Sequence, residues 1–432
     1  MRLPPEDIFI AERSAASSGG CPAIGSLSSC ADRNELLRTL LFNPGGAKSI
    51  LRADPREGCA EPACDWVRMV ETAVREGVAP LLFHQIRRHE IEDYLPPGCR
   101  SNLSDIFLTN LKRNLSMIGS LRPVLSAFQS GGIPCIVLKG IVLAERVYPN
   151  IGLRGMSDVD LLIRKKDLFR ADAALTALGF ASRDATPAEA VQNPVGYLAS
   201  LEYRKAETAP LNLNLHLHWH PVNTSVPATA FVDQIDVDRL WEMSVETEVA
   251  DCPVRMLCPE HLIIYLCEHA LRVGHSFDRL ILVCDIFYAI KAFETCIDWD
   301  FMIGESWRFN LSRFVYHGLS IVKHHTALSI PDACIARLRP SDLSRGEKYF
   351  LKLQFSNRRI RGSSYFIYLA MNRGLPAKLG LIARTLFPPD RILLQRHYLK
   401  DAEFSKSLYF LRIREVLSQL WNMLAIGRGK TH

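Results

Sequence analysis

Two carboxylates, Asp158 and Asp160, stand two residues apart in the run Arg154-Gly-Met-Ser-Asp-Val-Asp-Leu-Leu-Ile163. In a strand that spacing points both acids to one face and puts Val159, Leu161 and Ile163 on the other. Like charges so close repel unless something positive lies between them. A divalent ion with oxygen ligands, typically magnesium, meets that need. It takes one or two carboxylates and completes its shell with substrate phosphates. Upstream, Pro134-Cys-Ile-Val-Leu-Lys-Gly140 is an apolar run that stops at a glycine, which reads as a buried strand ending in a turn. A glycine lets backbone approach phosphates closely, and paired acids hold a metal that neutralises developing charge. In isolation an Asp-x-Asp more often marks solvated acids at a strand end. The surrounding pattern is what raises it.

That pattern is a compact mixed α/β layout. A strand over 134–139 is followed by a short helix over 141–147, a strand over 158–163, and a helix over 167–178 that ends at Gly179, a favourable C-terminal cap. Residues 181–209 hold Pro187 and Pro194 and read as loops with a short helix. Next, Leu211-Asn-Leu-Asn-Leu-His-Leu-His-Trp-His220 alternates strictly. It predicts a half-exposed strand with Asn212, Asn214, His216, His218 and His220 on one face. Helical periodicity fills the rest. Asp32 reads as the cap of a helix through Leu36–Leu41. Residues 65–89 read as two helices broken near Gly77, and 103–129 as one. Helices are expected over 259–273, 278–293 and 301–326, with weaker ones to Met423. The expected organisation is a disordered Ser/Gly-rich arm (1–30), a helical region (31–130), a core (131–250) and a second helical region (251–432).

At 432 residues, 48% apolar and 23% charged, the composition is that of a folded globular chain of two or three domains. No stretch of about 18 uncharged apolar residues is present, so no transmembrane segment is expected. The early acids Glu6, Asp7 and Glu12 argue against a secretory leader. Twelve cysteines without a Cys-x-x-Cys pair read as reduced thiols, and the expected location is cytoplasmic. The net charge of +6 is uneven. Residues 357–432 hold 14 Lys/Arg and 4 Asp/Glu, a balance of +10, which leaves −4 elsewhere. These basic residues are interspersed with apolar ones, so a solvated helical face is preferred over a nucleic-acid surface.

Leu138-Lys-Gly140, Tyr148-Pro149, Leu153-Arg154, Asp158-Val-Asp-Leu-Leu-Ile163, Leu178-Gly-Phe180 and Leu217-His-Trp219 recur in this order. Leu257-Cys-Pro-Glu-His-Leu262, His269 and Cys284-Asp-Ile286 follow. Together they resemble the uncharacterised nucleotidyltransferase family of the polymerase-beta-like superfamily, over roughly residues 35–420. The more distant abortive-infection nucleotidyltransferase toxins share Lys-Gly, a short helix, Arg and Asp-x-Asp. The resemblance implies an α+β fold: a small mixed-sheet nucleotidyltransferase core flanked by N-terminal and C-terminal helical regions. It implies NTP and Mg²⁺ (or Mn²⁺) as partners. An acceptor of unknown kind (protein, RNA or small molecule) attacks the α-phosphate, and pyrophosphate leaves.

On this reading Asp158 and Asp160 hold the metal. Lys139, Gly140, Arg154, Ser157 and His218 are candidate nucleotide contacts. Lys139 reads equally as a solvated strand-end lysine, Arg154 as a partner of Asp158, and Ser157 as a turn residue. His218 and His220 read equally as phosphate or metal contacts and as a half-exposed strand face. His269 and Asp285 are expected to bond to each other across two helices. The sequence departs from the family at the third acid, whose slot holds His216. Imidazole is a poor magnesium ligand. His216 therefore either replaces the missing base, or marks a protein that binds nucleotide without transferring it.

Overall fold

A computed structural model describes residues 30–43, 65–205, 213–228, 231–272, 275, 277–355, 363–399 and 403–427. The arm expected over 1–30 lies outside them save for Cys30, as do Leu211 and Asn212 of the expected histidine strand. The fold is α+β, with one seven-stranded mixed sheet between helical regions.

The strands are β1 (Cys135–Val137), β2 (Val159–Ile163), β3 (Phe180–Ser182), β4 (Ser200–Lys205), β5 (Leu215–His218), β6 (Val245–Val249) and β7 (Cys252–Met256). Their order across the sheet is β3-β4-β5-β2-β1-β7-β6. β2, which carries Asp160 and follows directly on Asp158, is thus near the centre, parallel to β5 and antiparallel to β1. All five residues of β2 are buried, so both faces of the sheet are covered there.

Four strands depart from the sequence reading, β3, β4, β6 and β7; β3 follows Gly179 at the edge of the segment expected to be loops. β4 lies in the segment expected to be loops, because Leu201 and Tyr203 give too short an apolar alternation to stand out between prolines. The hairpin β6–β7 turns at Ala250 and Asp251, both in the left-handed region at φ 54° and 57°. No glycine marks that turn, so the pattern lacks its usual signal. The sheet consequently runs past residue 250, with β7 paired to β1.

The helices follow their periodicity closely. The break near Gly77 separates Trp66–Arg75 from Ala79–Arg88, with Gly77 at φ 74°. Pro97–Ser130 is one helix of 34 residues. The first described helix, Cys30–Phe42, already includes Asp32, which was expected at its start. The single helix expected over 301–326 is two, Trp299–Arg308 and Ser312–His325, broken where Asn310 adopts φ 53°. No described helix is long and apolar enough to cross a membrane. The described cysteines Cys99, Cys135, Cys252, Cys258, Cys267, Cys284, Cys296 and Cys334 are free thiols.

The C-terminal region departs in character. Arg412 is fully buried and bonds the carbonyls of Thr385 and Ser225, and Arg396 donates to Ser225 Oγ. Part of its basic character therefore fastens helices onto the body instead of facing water.

Candidate functional site

β1 ends three residues before Gly140, whose φ of 68° and ψ of −103° suit only glycine. A Cβ there would meet Asp158 O at 3.5 Å and Arg154 Nη1 at 3.8 Å. The turn thus brings Lys139 over the end of β2. Its ammonium lies 2.5 Å from Asp160 Oδ2 and 3.9 Å from Asp158 Oδ2. The positive group demanded by the paired acids is therefore built into the chain. Lys139 is therefore paired with both acids, and the reading of it as a solvated strand-end lysine does not hold.

Register brings the histidines in. Asp160 is level with His216 and Leu162 with His218 across the parallel pair β2–β5. His218 Nε2 is 2.9 Å from Asp160 Oδ1, and His216 Nδ1 is 3.5 Å from the same oxygen and 3.7 Å from Asp158 Oδ2. Asp160 thus turns one oxygen to Lys139 and the other to two imidazoles. Of the polar face expected to be half-exposed, Asn214, His216 and His220 are partly exposed, and His218 alone among its described residues is buried. Asp158, at 26% side-chain exposure, is the open acid, and Ser157 donates to it at 2.9 Å. His220 lies past the end of β5, where its Nδ1 accepts from Val222 N–H. It takes no part in the cluster.

The charges follow from this packing. Burial would raise the Asp160 carboxyl, but Lys139 and both imidazoles hold it well below its ordinary range. Burial would lower Lys139, and the two acids outweigh it and hold its ammonium charged. At His216 burial is likewise outweighed by Asp160 and Asp158, which raise its pKa. At His218 burial prevails and lowers it.

Arg154 does not pair with Asp158. Its Nε and Nη2 bond Asp285 at 3.1 and 2.9 Å, and Tyr148 donates to the same carboxylate at 2.7 Å. Asp285 therefore does not bond His269 as expected. The His269 ring packs instead on His275, with centroids 4.2 Å apart.

Other groups near the cluster were missed in the sequence. Glu202 of β4 is level with His216 and so shares its face, but Arg204 and Arg183 hold its carboxylate at 2.8 and 3.3 Å. Its signal was the unread alternation of β4. Tyr265, His269 and His275 come close enough to Lys139 to feel its charge. Only helical contacts place them there, and no local pattern announces it.

Among the described residues, the groups whose ligand atoms could converge on a metal ion are Asp160, His216 and His218, all within 4.8 Å of one another. Asp158 is not one of them. Magnesium asks for near-octahedral oxygen ligands. A carboxylate with two imidazoles suits ions that accept nitrogen. The cluster thus fits a divalent metal, and magnesium least well.

Comparison with known proteins gives the family. The sequence profile of the uncharacterised nucleotidyltransferases matches residues 62–327. Among solved structures, an antigenic nucleotidyltransferase-like protein from Paracoccidioides brasiliensis is similar at 13% identity and a TM-score of 0.29. The match covers 46% of this chain and 91% of that one. No curated protein matches. With well over half of its length matched and the acids, the Lys-Gly turn and the mixed sheet in place, the chain belongs to the uncharacterised nucleotidyltransferase family.

Proposed function

We propose that the protein moves a nucleotidyl group from an NTP to an acceptor at the mouth formed by Gly140, Asp158, Asp160 and His216. The observation that carries this reading is the meeting of the glycine turn with Asp158 and Asp160 at the start of β2. Gly140 leaves backbone room beside Asp158 and Arg154 Nη1. The triphosphate lies over that turn, facing Lys139, Arg154 and Ser157. Asp158, the open acid, takes the proton of the acceptor hydroxyl. The acceptor oxygen bonds to the α-phosphorus, the bond to the bridging oxygen breaks, and pyrophosphate leaves. Asp160 does not take this proton, because Lys139 and the imidazoles hold it ionised and occupied. A divalent cation bound beside the acids would neutralise charge on the phosphates.

The test is incubation of the protein with α-³²P-labelled NTPs, a divalent metal and candidate protein, RNA and small-molecule acceptors. Label is expected in one acceptor class, with its rate lowered roughly 10²–10⁴-fold by Asp158→Asn, the range for removing a proton-transfer group. Absence of label in any acceptor, with NTP still bound, would leave the second reading, a nucleotide-binding protein that does not transfer. A specific observation favours that reading: Lys139 already stands between the acids, where a catalytic metal would otherwise be required.

A further inference from the structure

The geometry points to a metal site of a different kind from the paired-acid one expected of the sequence. We infer that Asp160, His216 and His218 bind a borderline first-row ion such as Mn²⁺, Co²⁺ or Zn²⁺, in preference to Mg²⁺ and without nucleotide. This deepens the reading above and rests only on its claim that a divalent cation binds there.

Three observations support it. First, the donor spacing suits the ion. Ligand bonds of about 2.0–2.1 Å at tetrahedral angles put donors roughly 3.3 Å apart. The two imidazole nitrogens lie 2.9 and 3.5 Å from the shared Asp160 Oδ1, bracketing that value. Second, Lys139 does not stand in the way. It occupies Oδ2, the oxygen turned from the imidazoles, and so fixes the carboxylate in the way outer-shell partners fix metal ligands. Third, the strands hold the set in advance. His216 and His218 are two residues apart on β5, and His216 is level with Asp160 in register. Two side chains of one strand face and one of its neighbour need no loop ordering to converge, so nucleotide is not required to assemble the site. The ligands are one oxygen and two nitrogens, a set that magnesium disfavours and borderline ions accept. One element is lacking. His218 Nδ1 is buried with no hydrogen-bond partner among the described residues. An unbacked imidazole lowers affinity roughly 10–100-fold below that of a fully supported site.

The experiment uses the full chain, freed of metal by dialysis against chelator and titrated with Co²⁺ alone. Visible ligand-field absorption and calorimetry give the stoichiometry. One Co²⁺ per chain is expected. Zn²⁺ should displace it, and millimolar Mg²⁺ should not. His216→Ala and His218→Ala should each weaken Co²⁺ binding by more than the roughly 10–100-fold of an outer-shell loss, whereas Asp158→Asn should leave it within about threefold. His216→Asp, which replaces a nitrogen by oxygens, should narrow the preference for Co²⁺ over Mg²⁺. His218 is buried, so circular dichroism of each variant is recorded first. Should His218→Ala fail to fold, the partly open His216 carries the test. Mg²⁺ competing at equal concentration would overturn the inference. So would Co²⁺ binding that survives both histidine changes but not Asp158→Asn. Label transfer that fails while Co²⁺ binds as expected would count against the transferase reading and leave this site standing.

Discussion

At the scale of single residues, what decides the site is which charges satisfy which. Asp158, Asp160 and His216 were legible because a period of two is a reliable rule for strand faces. Their partners were not, because a contact between residues far apart in sequence leaves no local trace. Arg154 and Asp285 are 131 residues apart, and their pairing is the clearest case. Both are largely buried, with side-chain exposures of 12% and 4%. Asp285→Ala would strand a buried guanidinium and an orphaned Tyr148 hydroxyl. The expected cost is about 3–5 kcal/mol, the range for breaking a buried pair from one side. Asp285→Asn keeps acceptor and donor groups in place and should cost less. Urea unfolding of both variants checks the order. Unchanged stability in Asp285→Ala would mean that this carboxylate does not hold Arg154, which is then free to turn toward a phosphate.

At the scale of elements, the helices announced themselves by their apolar period and their breakers, while β3 did not. It has three residues, too few for a period to form; β1 is as short and was legible only as an apolar run that stops at Gly140. The link between helices also escaped notice, and one residue carries much of it. Glu347 sits in the first turn of Arg345–Phe355, where its carboxylate accepts from Ser344 N–H and Ser344 Oγ–H. The same carboxylate meets Arg313 at 2.8 Å, His317 at 3.3 Å and Arg373 at 3.4 Å. Three segments therefore converge on one buried acid. Burial would raise its pKa, but His317, Ser344 and Arg313 hold it down to about 2 from an ordinary 4.5. Because the folded value lies below the unfolded one, the stabilisation is full above pH 4.5. It is lost as pH falls from there through about 2. A shift of that size corresponds to about 3 kcal/mol. Glu347→Gln should lower the urea midpoint at pH 7 and flatten its fall between pH 4.5 and 2. A variant whose midpoint falls as steeply as the parent's would show that other acids set the acid limit.

At the scale of the whole molecule, the basic C-terminal region shows how charge counting goes wrong. A balance of +10 over residues 357–432 suggested a solvated face, since the charges are scattered among apolar residues. Scattering is also what results when some of those residues point inward, and the sequence cannot distinguish the two. Helix Asp390–Arg396 lies against the β4 side of the sheet through Gln395, which is buried. Its Nε2 donates to Asp184 Oδ2 at 2.8 Å and to Ser200 O at 3.1 Å, and its Oε1 accepts from Asn193 at 2.7 Å. Arg412, on the last helix, adds the carbonyls of Thr385 and Ser225. Ser200 is level with His218 across β4–β5, so this fastening acts one strand away from the candidate metal ligands. Gln395→Ala leaves Asp184 and the Ser200 carbonyl without that donor. Asp184 keeps the Glu202 N–H on its other oxygen, so a loss of about 1–3 kcal/mol is expected, the cost of a buried polar group left unpaired. The urea midpoint should fall with the slope unchanged. Lys406→Ala, at an exposed basic position of the same region, should change it by less than about 0.5 kcal/mol. Equal, negligible effects of the two substitutions would restore the picture of a solvated tail. A large effect of Gln395→Ala alone would make the last helices part of the framework that holds β5, and with it His216 and His218, beside Asp160.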